Sequence, residues 1–189
     1  MHVGKSAGRG RVHVFERTRG EDVEHRYGLA TDLRAALADE AVRLEYQPIV
    51  DLRSGAVVGL EALARWTHPE HGEVAPGGFV PVAEFSGSAP EFDRWVLRRA
   101  LHDMARLRRA QAVPEDAYVA VNLSAASLAE TSLLDDLVGW SRESGLPPTR
   151  LVLEITETAV MQDADAAVPL LRGLRDHGVR VAMDDFGTG

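Results

Sequence analysis

The chain has 189 residues, 45% of them hydrophobic and 26% charged, which excludes a disordered or collagen-like polypeptide and fits a globular one. It has no cysteine, so disulfide frameworks, thiolate zinc sites and a cysteine nucleophile are excluded, and any catalytic metal must sit on oxygen or imidazole. Its 29 acidic residues against 21 basic ones give a net charge of −8, which disfavours binding to nucleic-acid polymers and either simply keeps the surface soluble or marks a cleft that attracts divalent cations.

Residues 1–28 are rich in Arg, Gly, His and Glu, and the alternating run Arg11-Val-His-Val-Phe15 predicts a lone strand. A short helical stretch follows from Thr31, with Leu33, Ala36 and Leu37 on one side. Strands are then predicted at about 43–51, 56–66, 117–123, 150–156 and 179–184. Between the later strands lie helical patterns. In 91–109, Phe92, Val96, Ala100, Met104 and Leu107 share a face, and in 132–144 Leu133, Leu134, Leu137 and Val138 do the same before the stop at Gly145. In 164–177 the apolar side is Leu170, Leu171 and Leu174, with Pro169 near the first turn and Gly178 as terminator.

The connector Leu52-Arg-Ser-Gly-Ala56 is too short for a parallel crossover, so the first two strands pair antiparallel as a hairpin. The later strands are each separated by a helix and form right-handed βαβ units of a parallel sheet, in a (β/α) barrel or an open α/β sheet. Pro147-Pro148 reads as a helix-to-strand connector. No apolar run approaches the roughly 20 residues of a membrane span, and no signal peptide is evident, so a soluble cytoplasmic chain is expected.

The period of two puts Glu61 and Arg65 on one face of their strand, with Leu60, Ala62, Ala64 and Trp66 on the other. Asn122, Glu154 and Asp184 likewise lie opposite the most apolar faces of three further strands. In a parallel barrel the apolar faces meet the helices, and Glu61, Asn122, Glu154 and Asp184 converge at the C-terminal mouth. Three carboxylates and an amide packed together need a cation between them, and oxygen ligation suits Mg²⁺ or Mn²⁺. Asp185 is placed to reach a second ion, giving a two-metal clamp for phosphoester hydrolysis, and Arg65 suits a phosphate or a base edge. Taken singly, each such residue also reads as a cap or loop anchor, and Glu154 with Glu157 reads as a capping arrangement. His68 and His71 sit among Pro and Gly residues that predict a loop rather than a metal site. P-loop, GxGxxG and HExxH motifs are absent.

Leu60-Glu-Ala-Leu-Ala-Arg-Trp66 resembles the signature of the EAL family of cyclic di-GMP phosphodiesterases. Tyr46-Gln-Pro-Ile-Val50, His68-Pro69, Gly72, Pro76, Phe79-Val-Pro-Val-Ala-Glu84, Val121-Asn-Leu-Ser124, Leu153-Glu-Ile-Thr-Glu157 and Met183-Asp-Asp-Phe-Gly-Thr-Gly189 resemble further family blocks in the same order. The resemblance implies a TIM-like barrel with an antiparallel first strand. It makes Glu61, Asn122, Glu154 and Asp184 ligands of a first Mg²⁺ or Mn²⁺ ion and Asp185 a ligand of a second. Glu157 would hold the loop that begins at Asp185, and Gln47 and Arg65 would contact the dinucleotide. The implied reaction is hydrolysis of cyclic di-GMP to linear pGpG, and a homodimer through the barrel is an implied assembly.

Met1-His-Val-Gly-Lys5, Gly8-Arg-Gly-Arg-Val12 and Val14-Phe15 resemble the end of a GGDEF diguanylate cyclase domain, without its catalytic motif. The expected organisation is therefore a GGDEF-like remnant and linker at 1–28 and the N-terminal two-thirds of an EAL domain at 29–189, with a sensor or GGDEF domain upstream in the parent protein. The family pattern continues with a strand carrying a catalytic lysine. Residues 6–189 contain no lysine, and a complete barrel needs roughly 250 residues, so an incomplete barrel without activity of its own is expected. The alternative is a non-catalytic receptor for the same dinucleotide. Such degenerate members usually lose the signature Glu or a metal carboxylate, and Glu61, Glu154, Asp184 and Asp185 are all present.

Overall fold

The computed structural model of the protein describes the backbone of residues 18–39 and 41–184, and the side chains from Gly28 onward within that span. Strand β1 (Val42–Val50) runs antiparallel to β2 (Val57–His68), as the short connector requires. The turn is closed by the Asp51 amide donating to the Ala56 carbonyl at 2.9 Å and by the Gly55 amide donating to the Asp51 carbonyl at 2.8 Å. Oδ1 of Asp51 also accepts from the amides of Arg53 and Ser54 and from the Ser54 hydroxyl.

Strand β2 continues through a tight turn into the short β3 (Gly72–Val74), which pairs back on it antiparallel. Its other neighbour is the parallel strand β4 (Tyr118–Asn122), followed by β5 (Leu151–Thr156) and β6 (Arg180–Asp184), all parallel. The sheet order is β1-β2-β4-β5-β6, with β3 beside β2. This α/β arrangement, one antiparallel strand followed by parallel βαβ units, is that of an incomplete TIM-like barrel.

Seven helices occur among the described residues: α1 (Thr18–Ala38), α2 (Pro76–Phe85), α3 (Ala89–Arg109), α4 (Ala125–Leu128), α5 (Leu133–Ser144), α6 (Glu157–Gln162) and α7 (Ala164–Asp176). The buried stripe of α3, which includes Phe92, Val96, Leu97, Ala100, Leu101 and Met104, joins Leu133 and Leu137 of α5 and Leu170 and Leu174 of α7 in one core. That core covers the apolar sheet face of Leu60, Ala62, Trp66, Val119, Val121, Leu151, Leu153 and Ile155. Strand β1 is tied to α3 by the Tyr46 hydroxyl, which donates to Oδ2 of Asp103 at 3.0 Å, while Arg99 and Arg106 pair with the same carboxylate. Burial first, and then the Asp103 charge, push the Tyr46 phenol well above its ordinary range.

Several elements differ from the sequence expectation, each for a local reason. Helix α1 spans Thr18–Ala38, where the sequence pattern predicts a helical stretch only from Thr31. The apolar stripe of Leu29, Ala30, Leu33, Ala36 and Leu37 that periodicity detects lies in its second half. Helix α2 forms despite Gly77, Gly78 and Pro81, because Phe79, Val82 and Ala83 are buried and Pro76 suits a first helical position. Pro169 lies in the second turn of α7 rather than its first. Strand β2 extends to His68, so this histidine belongs to a strand and not a loop, and it is only 4% exposed. Val181 and Met183 point away from Asp184 as expected but are 39% and 47% exposed, because they lie outside the core that the described helices form over the sheet. The predicted strand at 11–15 lies outside the described residues.

Gly178 ends α7 with φ of +88°, and a Cβ added there would meet Cγ2 of Thr149 at 2.9 Å. Gly178→Ala is therefore expected to lose about 1–2 kcal/mol of stability in chemical denaturation. Gly139→Ala, in the open middle of α5 with nothing within 4 Å, is expected to gain up to about 1 kcal/mol instead.

Candidate active site

The face of the sheet opposite the helices carries the polar side chains, and the register sets their mutual position. Gln47 lies across from Glu61, Glu61 across from Ala120, Asn122 across from Glu154, Glu154 across from Ala182, and Thr156 across from Asp184. Adjacent strands are about 4.8 Å apart, so four neighbouring strands deliver three carboxylates and one carboxamide to a single end of the sheet. Ala120 and Ala182 occupy the cross-strand positions beside Glu61 and Glu154, and their methyl groups leave room for the longer acids.

These groups bear on one another in two ways. Nδ2 of Asn122 donates to Oε1 of Glu61 at 3.1 Å. The Glu154 carboxyl is pushed above the usual glutamate range by partial burial first, and then by the charges of Glu61 and Asp184. Among the described residues no group of three or more His, Asp or Glu side chains stands ready to hold a metal ion. The donor set nevertheless fits one chemically, since it is made of oxygens and its carboxylates repel one another in the way a divalent cation would relieve.

Arg65 shares this face. Its Nε donates to Oε2 of Glu45 at 2.9 Å and its Nη1 to the carbonyl of Ala64 at 3.0 Å. Glu45 is also held by Arg43, which reaches Glu73 on β3 and Oγ1 of Thr67. Gln47 is exposed on the same face, two residues along from Glu45. Glu157 is exposed in the first turn of α6. The capping of α6 falls to Thr156, whose Oγ1 accepts from the Ala159 amide at 3.2 Å. Asp185 and the segment to Gly189 lie outside the described residues.

His68 is architectural. Its Nδ1 accepts from the amides of Glu70 and His71, which places the proton on Nε2, and that atom donates to Oδ2 of Asp32 on α1 at 3.2 Å. The His71 ring stacks on it at 4.5 Å.

Sequence reasoning missed two residues beside the site. Glu45 is legible only once the β1–β2 register is known. Asp93 lies on the buried side of α3, where its Oδ2 accepts from the Ser124 amide at 2.9 Å and from the hydroxyls of Ser124 and Ser127 at 2.6 Å each. An acid four residues before the buried Leu97 was the available signal.

The chain is 40% identical over 189 residues to the cyclic di-GMP phosphodiesterase NbdA of Pseudomonas aeruginosa, covering 100% of this chain and 24% of that protein. It is 39% identical over 190 residues to the bifunctional diguanylate cyclase/cyclic di-GMP phosphodiesterase MucR of the same organism, covering 100% of this chain and 27% of that protein. The chain thus spans about a quarter of the length of these two relatives. A solved MucR phosphodiesterase in complex with c-di-GMP superposes with a TM-score of 0.78 at 41% identity, over 86% of this chain and 65% of that one. The FimX EAL domain of Pseudomonas aeruginosa bound to c-di-GMP superposes with a TM-score of 0.75 at 30% identity, over 85% and 63%. Among the described residues no helix is long and apolar enough to cross a membrane. The EAL-domain model matches residues 30–189, which include all four strands that bring Glu61, Asn122, Glu154 and Asp184 together, and the chain belongs to the EAL-domain family.

Proposed function

We propose that the protein of which this chain forms part hydrolyses cyclic di-GMP to linear pGpG at the mouth of the sheet. The observation that carries this reading is the placement of Glu61, Asn122, Glu154 and Asp184 on four adjacent strands; the charged form of Glu154 is disfavoured there by partial burial first and then by its acidic neighbours. Glu61, Asn122, Glu154 and Asp184 would hold a first Mg²⁺ or Mn²⁺ ion and Asp185 a second. Bound there, such ions would supply neutralisation of phosphate charge and activation of a water; in-line attack of that water on phosphorus with loss of the P–O3′ bond would leave a linear dinucleotide with a 5′-phosphate and a free 3′-hydroxyl.

The chain's own residues bind and orient. The Asn122 carboxamide fixes the direction of Glu61. The Arg65 guanidinium, held along its Nε edge by Glu45, offers its remaining N–H groups to a phosphate or a guanine edge, and Gln47 supplies a neutral donor and acceptor one strand away. Glu157 is assigned to the loop beginning at Asp185. Arg65→Ala is expected to weaken cyclic di-GMP binding about tenfold or more in titration calorimetry, because a charge-assisted contact is lost.

The domain assignment follows the same line. Residues 29–189 form the N-terminal two-thirds of an EAL domain. Residues 1–28 are assigned to the end of a GGDEF-type domain with its linker. That assignment is supported by the glycine- and arginine-rich motif at Gly8–Val12 and by alignment over the whole chain with a relative named for both activities. A homodimer through the barrel is the proposed assembly.

Hydrolysis is assigned to a complete domain, since the chain covers 65% of the solved MucR phosphodiesterase and the described sheet is open at β6. The test is conversion of cyclic di-GMP to pGpG with and without Mn²⁺, in the full-length protein and in the 189-residue chain. Turnover by the full-length protein alone supports the proposal. Binding without turnover in both would support a receptor.

A further inference from the structure

We propose that Asp93 is the positioning residue for Asn122, acting through the corner that follows β4. The proposal rests on the function above only for what Asn122 does, not for how it is held. Asn122 is the last residue of β4, and its side chain is exposed, so packing does not fix it. Its one described side-chain hydrogen bond runs to Oε1 of Glu61. The placement of the carboxamide therefore depends on the backbone that carries it.

That backbone is anchored at two successive peptides. The Leu123 amide donates to the carbonyl of Glu154 at 2.9 Å, which locks the strand end to the neighbouring strand of the site. The Ser124 amide then donates to Oδ2 of Asp93, and the Ser124 and Ser127 hydroxyls donate to the same oxygen. Asp93 is only 5% exposed and stands on a different element, α3. Burying a carboxylate is unfavourable unless it is fully hydrogen-bonded, and here all three donors belong to the one corner that begins two residues after Asn122. Ser124 is also the N-cap of α4, and its side chain accepts from the Ser127 amide. A single buried oxygen thus ties α3, α4 and the end of β4 together next to the carboxamide.

Asn122 is the only asparagine in the chain, which gives a direct probe. The 189-residue chain labelled with ¹⁵N-asparagine yields one backbone amide and one carboxamide pair. In the wild type the two carboxamide protons are expected to be well separated and slow to exchange, and to broaden on titration with Mn²⁺. In Ser127→Ala and Asp93→Asn the pair is expected to collapse toward the shifts of a free asparagine, and the Mn²⁺ midpoint to rise about tenfold. Ser127→Ala should melt within a few degrees of the wild type, so it decides the matter even if the Asp93 variants fail to fold. Asp93→Asn, which retains an acceptor oxygen, should lie between the wild type and Asp93→Ala. An unchanged carboxamide pair in folded Ser127→Ala and Asp93→Asn would overturn the proposal. A resolved wild-type pair that ignores Mn²⁺ would instead remove the cation role of Asn122, and the collapse or persistence of the pair in the variants would still decide the role of Asp93.

Discussion

Glu154→Gln is expected to reduce turnover of cyclic di-GMP by at least about 100-fold in the protein with a complete domain, and at the same time to raise the melting temperature of the metal-free form. The two effects have one cause. Glu154 stands on β5 between the strands bearing Glu61 and Asp184, and burial plus those two charges raise its pKa. A carboxyl whose folded pKa lies above its unfolded value binds more protons in the native state. Its contribution to stability is complete below the ordinary glutamate range and is lost as pH rises through the folded value.

At neutral pH the charged carboxylate therefore opposes folding in the absence of metal, and glutamine removes that opposition. The gain is a few degrees at most, about what a partly exposed and screened group allows. It should shrink as pH falls toward about 4, where the wild-type group is protonated. Added Mn²⁺ should stabilise the wild type and leave the variant nearly unchanged. A variant that melts lower at every pH, or that keeps its turnover, would contradict this account of the acidic cluster.

The second large effect is on folding. Trp66→Ala is expected to cost about 3–5 kcal/mol in urea denaturation. Trp66 follows Arg65 on β2, its residue is 0% exposed, and its ring meets His68 edge-on at 5.1 Å and Phe79 at 6.0 Å. Phe79 in turn meets Phe92 of α3 at 5.6 Å, so the indole is the first member of an aromatic chain joining the sheet to two helices. Its Nε1 is buried with no partner among the described residues. Trp66→Phe removes that unpaired N–H along with part of the ring, and the two changes oppose each other. The expected loss is below about 1.5 kcal/mol. Equal losses for Phe and Ala would show that the indole N–H is a binding element rather than a tolerated orphan.

Much of the site was readable from the alternation of residues alone. Period two placed Leu60, Ala62 and Trp66 on the helix side and Glu61 and Arg65 opposite, and the five-residue connector fixed the only strand reversal the expectation contained. The parts that escaped are those where tertiary burial overrules local propensity. Phe79, Val82 and Ala83 draw a Gly- and Pro-bearing segment into α2. Three residues of β3 are too few to show a period, and α4 and α6 are too short to show a helical one. His68 looked like a loop residue because its flanks are Pro69 and Gly72, yet the turn they form folds back on β2 and buries the imidazole against Asp32 on α1. The pairing of Glu45 with Arg65 spans a hairpin, and the triple hydrogen bond of Asp93 spans two elements, so neither follows from sequence spacing.

The role proposed for the acids on four adjacent strands is metal-dependent cleavage of a cyclic dinucleotide. It is tested most directly by incubating the full-length protein and its Glu61→Ala variant with cyclic di-GMP and Mn²⁺ and separating the products by chromatography. The expected result is pGpG from the wild type, none when the metal is chelated, and at least about a 100-fold slower reaction in the variant. Equal rates in the two proteins, or recovery of intact cyclic di-GMP from a wild type that binds it, would contradict the claim.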